Sequence, residues 1–181
     1  MSAPTRGLSA GTWVIDPSHS TLQFSVRHLM VSKVRGRFTD FSGALVIHPD
    51  GTADANVEIQ VASVTTDNPQ RDGHLATADF FDVTHYPVAT FTATGFRPAG
   101  EEFEVTGDFT IRGTTHPVTL AVEFLGVGPG MADAPVAGFT ATTTINRRDF
   151  GITTEMPMAE GGVVVGDKIA LSLDVEVGLQ S

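Results

Sequence analysis

Apolar and polar residues alternate with a period of two over most of this chain, the pattern of strands with one dry and one wet face. In 20–28, Leu22, Phe24, Val26 and His28 share one side, opposite Thr21, Gln23, Ser25 and Arg27. In 102–112 the dry side is Phe103, Val105, Phe109 and Ile111. The same alternation runs through 54–62, 116–124, 137–145 and 169–177. Turn residues punctuate the runs at Asp16-Pro17, Pro49-Asp50-Gly51, Pro98-Ala99-Gly100 and Arg112-Gly113. The pattern predicts strands over 12–16, 20–28, 36–48, 53–62, 88–96, 102–112, 116–126, 136–148 and 165–178. Short links make neighbours antiparallel, and closing the sheet removes its unpaired edges, so the prediction is an all-β barrel.

Two places break the alternation. Phe38 and Phe41 have opposite parity, which predicts a bulge within 39–43 if both face inward. Asn68-Pro69 reads as an N-cap followed by proline at the first helical position, predicting one short helix over 70–76 within a segment 68–82. That segment would cover one mouth of the barrel, either as a lid over a ligand or as a plug that buries Leu75, Phe80 and Phe81.

A chain of 181 residues predicts one domain, 12–181, behind a flexible leader, 1–11, with order beginning near Trp13. The net charge of −10, from 11 basic and 21 acidic residues, argues against nucleic acid as a partner. With no cysteine there is no disulfide, thiolate nucleophile or thiolate metal site. Met1–Thr12 has no apolar signal core and no later run has the length of a membrane span, which predicts a cytoplasmic protein, or a periplasmic or secreted one if a signal was removed. Six histidines form no His-x-His or His-x-x-x-His pair, and no Gly-x-Ser-x-Gly elbow occurs, so neither metal, cofactor nor serine hydrolysis is expected.

Charges that share the dry parity are the sharper signal. His28 continues the face of Leu22, Phe24 and Val26; Arg147 and Asp149 continue that of Phe139, Ala141 and Ile145. An ionised group facing an apolar lumen must be paired or hydrogen-bonded. Arg147 would pair with Asp149 or with an acid of 67–82, or these groups would hold a ligand's head group at the mouth of a cavity.

Ordered blocks then carry a resemblance: Trp13-Val14-Ile15-Asp16 with His19-Ser20, Phe24 to Val31, Val34-Arg35-Gly36-Arg37-Phe38, Arg71-Asp72 with His74-Leu75, Asp79-Phe80-Phe81-Asp82 before Tyr86-Pro87, Thr110-Ile111-Arg112-Gly113, and Ile145-Asn146-Arg147 with Asp149-Phe150-Gly151. Together they resemble the YceI-like family of polyisoprenoid-binding proteins over about 12–178. The resemblance implies an extended lipocalin-like antiparallel β-barrel of about eight strands, an isoprenoid lipid of polyprenyl or quinone type in an apolar tunnel, a role in lipid storage or transport, no catalysis, and a homodimer. A barrel of that size is either filled by its own side chains or just wide enough for one slender ligand. Tunnel candidates are Phe24, Val26, Phe38, Phe81, Phe91, Phe109, Ile111, Leu120, Phe124, Phe139, Ile145, Phe150, Leu171 and Leu173. Head-group candidates are His28, Arg71, His74, Arg147 and Asp149. A fatty acid or fatty amide is the alternative ligand, because such tails differ from isoprenoids mainly in girth. An enzyme acting on a small lipophilic substrate, with His28 or His74 as base, and a structural or interaction protein with a filled barrel are the remaining alternatives.

Overall fold

The computed structural model describes residues 7–131, 134–155 and 165–181. Its strands are β1 (Gly11–Ile15), β2 (Thr21–His28), β3 (Ser32–Phe38), β4 (Phe41–Ile47), β5 (Ala53–Gln60), β6 (Val64–Thr65), β7 (Val88–Ala99), β8 (Glu102–Ile111), β9 (Thr114–Gly128), β10 (Val136–Asn146) and β11 (Val165–Leu179). One helix, α1 (Pro69–Leu75), lies between β6 and β7. The sheet runs β1-β4-β5-β7-β8-β9-β10-β11, and β1 pairs back onto β11 to close an eight-stranded antiparallel barrel.

The barrel is extended because β11 outruns its closing partner. Its last residues pair β1, while Val165 to Asp174 pair β2, which carries β3 and β6 beyond it. β1 with β2, β3 with β4, and β5 with β6 are thus three long strands, each broken at nearly one level. The first break follows from Asp16-Pro17: proline starts a 3-10 turn, and the Asp16 carboxylate accepts from the Ser18 amide (2.9 Å), Ser18 Oγ (2.6 Å) and His19 Nδ1 (2.8 Å). The second, at Thr39-Asp40, lies where the sequence predicts a bulge, and Ser63 Oγ accepts both freed amides. That interruption lets Phe41 join the core while Phe38 faces the lumen.

The Asp16 turn makes a testable electrostatic claim. Hydrogen bonds from Ser18 and then His19 hold the Asp16 carboxyl down to about 2, and Asp16 raises the His19 imidazole. The pair is ionised between those limits; it is lost as pH falls through about 2 and as it rises through the raised His19 value. In an NMR titration, Ser18→Ala is expected to move the Asp16 midpoint upward. An unmoved midpoint would leave His19 as the dominant partner.

The structure departs from the sequence reading in four elements. The two-residue β6 was unforeseen, and β3 begins at Ser32 rather than 36. Within the expected leader, Leu8 packs on the core, Trp13 Nε1 donates to Ser9 O (3.1 Å), and Gly11 opens β1; residues 1–6 lie outside the described set. The helix forms one residue earlier than predicted, with the Asn68 side chain accepting from the Arg71 amide at 3.1 Å.

Candidate functional site: the barrel lumen

Two apolar chambers follow one another along the barrel. The upper, about 140 Å³, lies toward the chain termini and is lined by Leu8, Ile15, Ile47, Phe96, Phe103 and Val105, with Phe91, Leu120, Phe139 and Leu173 from the predicted set. The lower, about 100 Å³, lies toward α1 and takes nine predicted residues: Phe24, Val26, Phe38, Phe81, Phe109, Ile111, Ile145, Phe150 and Leu171. The boundary falls between Leu171 and Leu173, consecutive inward positions of β11, and between the cross-strand partners Phe109 and Phe91. Leu120 packs against the clusters on both sides.

Two glycines shape these chambers. A Cβ on Gly36 would stand 2.3 Å from the ring of Phe24, and one on Gly107 would stand 2.4 Å from that of Phe91. Each ring therefore lies flat on the neighbouring strand, where only a glycine admits it, instead of crossing the lumen.

Phe124 is the one predicted tunnel residue that lines neither chamber. The β9–β10 register shifts beside Phe139, and Phe124 packs on that ring at 5.2 Å between centroids. Parity had equally marked Val57, Phe103, Val105, Val122 and Ala141, which line the upper chamber though they were not singled out.

α1 and the segment after it close the lower end, with Leu75, Phe80 and Phe81 in the chamber wall. Arg71 and His74, predicted as head-group contacts, instead brace this cap. Arg71 donates to Thr66 Oγ1 (2.7 Å) and Thr66 O (2.9 Å), while His74 Nε2 pairs with Asp79 at 2.8 Å and its ring stands edge-on to Phe80. Arg112, in the β8–β9 turn, clips the cap by donating to Gly151 O (2.6 Å) and Ala78 O (2.7 Å). His28 ends β2 opposite Ser32 and Val165 and lines neither chamber. The two histidines considered as bases are thus both outside the chamber walls.

Arg147 and Asp149 part company. Asn146 caps a 3-10 turn, Arg147–Phe150, by accepting from the Arg148 amide, and strand parity ends there. Arg147 is 3% exposed, in the floor of the lower chamber; Asp149 turns outward, 3.8 Å from His116. The partner of Arg147 is Asp167 of β11 at 3.2 Å, not Asp149 or an acid of 67–82. Its Nε donates to Gly166 O (3.1 Å), and Nη1 donates to Ile152 O and Thr154 O (2.9 Å each). Nη2 faces Asp167 at an angle that makes no hydrogen bond. Burial pulls the Arg147 pKa down, against the pull of Asp167. The guanidinium stays protonated.

A wider concavity of about 730 Å³ lies on the outer wall, among Gln23, Ser25, Arg35, Arg37, Thr142 and Thr144. Its lining mixes these polar groups with Phe24, Ala121, Ala170 and Leu171. Among the described residues, Asp16, His19 and Glu176 bring potential metal-ligand atoms within 4.8 Å of one another, but Asp16 and His19 already hydrogen-bond each other in the turn.

A family model described as YceI-like domain matches residues 13–177. The UPF0312 protein SAS2572 of Staphylococcus aureus (strain MSSA476) is 36% identical over 170 residues, covering 92% of this chain and 97% of that protein. The crystal structure of the Campylobacter jejuni YCEI protein superposes with a TM-score of 0.73 at 32% identity, covering 86% of this chain and 90% of the other. A polyisoprenoid binding domain from Saccharophagus degradans has the same fold, with a TM-score of 0.68 at 17% identity, covering 95% of this chain and all of that one (100%).

Proposed function

The chain belongs to the YceI-like family, and from that premise we propose that its barrel binds a long-chain isoprenoid lipid, of polyprenyl or quinone type, for storage or transport. The observation that carries the reading is the lumen. Two apolar chambers in series, walled by aromatic and aliphatic side chains, suit a slender tail lying along the barrel axis. A structural relative described as a polyisoprenoid binding domain supports it. Affinity would come from apolar burial, roughly 25 cal/mol per Å² before ordering costs.

Each chamber has the size of a cavity that accepts one benzene ring, of order 150 Å³, well below the roughly 300 Å³ at which drug-sized sites begin. A long tail therefore requires Phe109 and Leu120, at the boundary, to move aside and join the chambers.

Native mass spectrometry of protein purified without detergent, before and after organic extraction, tests the reading. A stoichiometric prenyl lipid is expected. A fatty acid or amide would keep the tunnel and replace the ligand, and a protein that also refuses added polyprenyl compounds would refute lipid binding. Gly36→Ala is expected to push the Phe24 ring into the lower chamber and reduce bound lipid several-fold, with overpacking costing about 1–3 kcal/mol of stability. Undiminished lipid in that variant would place the tail elsewhere.

A further inference from the structure

The β2–β3 hairpin ends in Leu29, Met30 and Val31, which are 38%, 57% and 86% exposed. Its turn is closed by the Val31 amide donating to His28 O at 3.2 Å, with φ of 52° at Leu29 and 62° at Met30. Two consecutive left-handed residues belong to the tight hairpin turn that favours Asn-Gly, because a Cβ crowds the following carbonyl oxygen there unless a short polar side chain offsets it by hydrogen-bonding locally. Leucine and methionine in those places serve neither turn geometry nor solubility. Backbone strain held by exposed apolar residues is the mark of a contact surface.

The strands behind the tip carry an unusual charge. In a chain of net charge −10, five of the eleven basic residues, Arg27, Lys33, Arg35, Arg37 and Lys168, stand exposed on the outer face of β2, β3 and β11. Arg27 is directly opposite Lys33 in the ladder, a like-charge pairing that works against the sheet. Arg27, Lys33 and Lys168 share one surface hollow of about 300 Å³. The acids nearby are largely engaged: Asp67 lies 3.6 Å from Arg37, and Asp167 is held by Arg147 and Arg148. Among the described residues, Arg27, Lys33, Arg35 and Lys168 make no ion pair. The other exposed apolar cluster, Leu125, Val127 and Met131, has no lysine or arginine on its flanking strands β9 and β10.

The geometry points to a docking surface for an anionic lipid bilayer, with Leu29, Met30 and Val31 inserted among the head groups and the basic face of β2, β3 and β11 resting on their phosphates. An apolar tip flanked by cations is the arrangement that binds membrane interfaces through hydrophobic burial and electrostatic attraction together. The net negative charge does not oppose it, because acids farther away than the Debye length, about 8 Å at physiological salt, are screened. Val26 and Val165, in the wall of the lower chamber, lie next to the hairpin tip, so docking would bring that end of the lumen to the bilayer. The inference goes beyond the lumen's ligand and stands independently of it.

Flotation of the full chain with phosphatidylcholine vesicles containing about 30% phosphatidylglycerol tests it, against vesicles of phosphatidylcholine alone. Binding is expected to the anionic vesicles only and to be lost in about 1 M salt. Lys33→Glu with Arg35→Glu is expected to weaken binding by roughly tenfold or more, and Met30→Ser with Val31→Ser by a similar factor, with unfolding temperatures unchanged. Wild-type protein that ignores anionic vesicles, or variants that float as well as wild type, would overturn the proposal. So would sedimentation showing a wild-type dimer that the charge reversal splits, which would make this face a contact between copies. Native mass spectrometry on the same samples reads the lumen separately.

Discussion

Phe150→Ala is expected to lower the unfolding free energy by about 3–5 kcal/mol, and the unfolding temperature by roughly 10 °C for a domain of this size. The reason lies in the barrel wall. The β9–β10 ladder ends at Ala121 opposite Thr142; below that level the two strands have no pairing, and β9 reaches Pro117, which has no amide to donate. Residues 116–119 and 143–146 instead border a hollow of about 450 Å³. Phe150, 1% exposed, fills the seam from within, its ring 5.3 Å from that of Phe109 and 5.8 Å from that of His116. Removing the ring leaves a cavity that paired strands would partly collapse upon, but a split wall has no ladder to draw it shut. Phe150→Leu, which keeps most of the volume, is expected to cost less than half as much. Hydrogen exchange in the alanine variant should rise first in 114–120 and 143–146. A loss below about 1 kcal/mol would show that the seam closes without the ring.

How far the sequence reaches can be judged from particular residues. Period-two alternation located most strands because each has one face on the lumen and one in water, so the code is local. Asn68-Pro69 located α1 for the same reason: an N-cap and its proline act within one turn. Asp149 was misplaced because strand parity was carried through Asn146, where a side-chain cap turns the chain into a 3-10 helix. β6 is two residues long, too short to show any period. The division of the lumen into two chambers, the seam beside Phe150 and the seats of Phe24 and Phe91 on Gly36 and Gly107 all depend on which strands come to lie side by side. No local pattern encodes that. The Leu29-Met30-Val31 tip stood in the sequence only as part of the block Phe24 to Val31, and its meaning depends on cations that pairing gathers from β2, β3 and β11.

Arg147→Met is expected to cost about 3–5 kcal/mol despite preserving much of the side chain's volume. The guanidinium donates to three carbonyls at once, those of Gly166, Ile152 and Thr154. These come from the start of β11 and from the stretch after the 3-10 turn, and the turn itself carries Phe150. A methionine supplies no hydrogen, so the buried Ile152 carbonyl and the part-buried Gly166 and Thr154 carbonyls lose this donor, and the desolvation penalty, largest at Ile152, exceeds the net worth of the bonds themselves. Ile152, in the wall of the lower chamber, would keep only the bond from its amide to the backbone carbonyl at position 147. Asp167→Asn separates charge from hydrogen bonding. Arg148 Nε still reaches the Asp167 position at 3.0 Å, and Arg147 keeps its carbonyls, so the expected cost is about 1 kcal/mol or less. Urea unfolding of the two variants decides between the accounts. If Asp167→Asn costs as much as Arg147→Met, the ion pair carries the stability; if Arg147→Met costs little, the carbonyls rehydrate and the lower chamber is wetter than its lining suggests. The expected ordering makes Arg147 the bolt of the chamber floor. An inward charge on an apolar strand face is then explained by the backbone it satisfies.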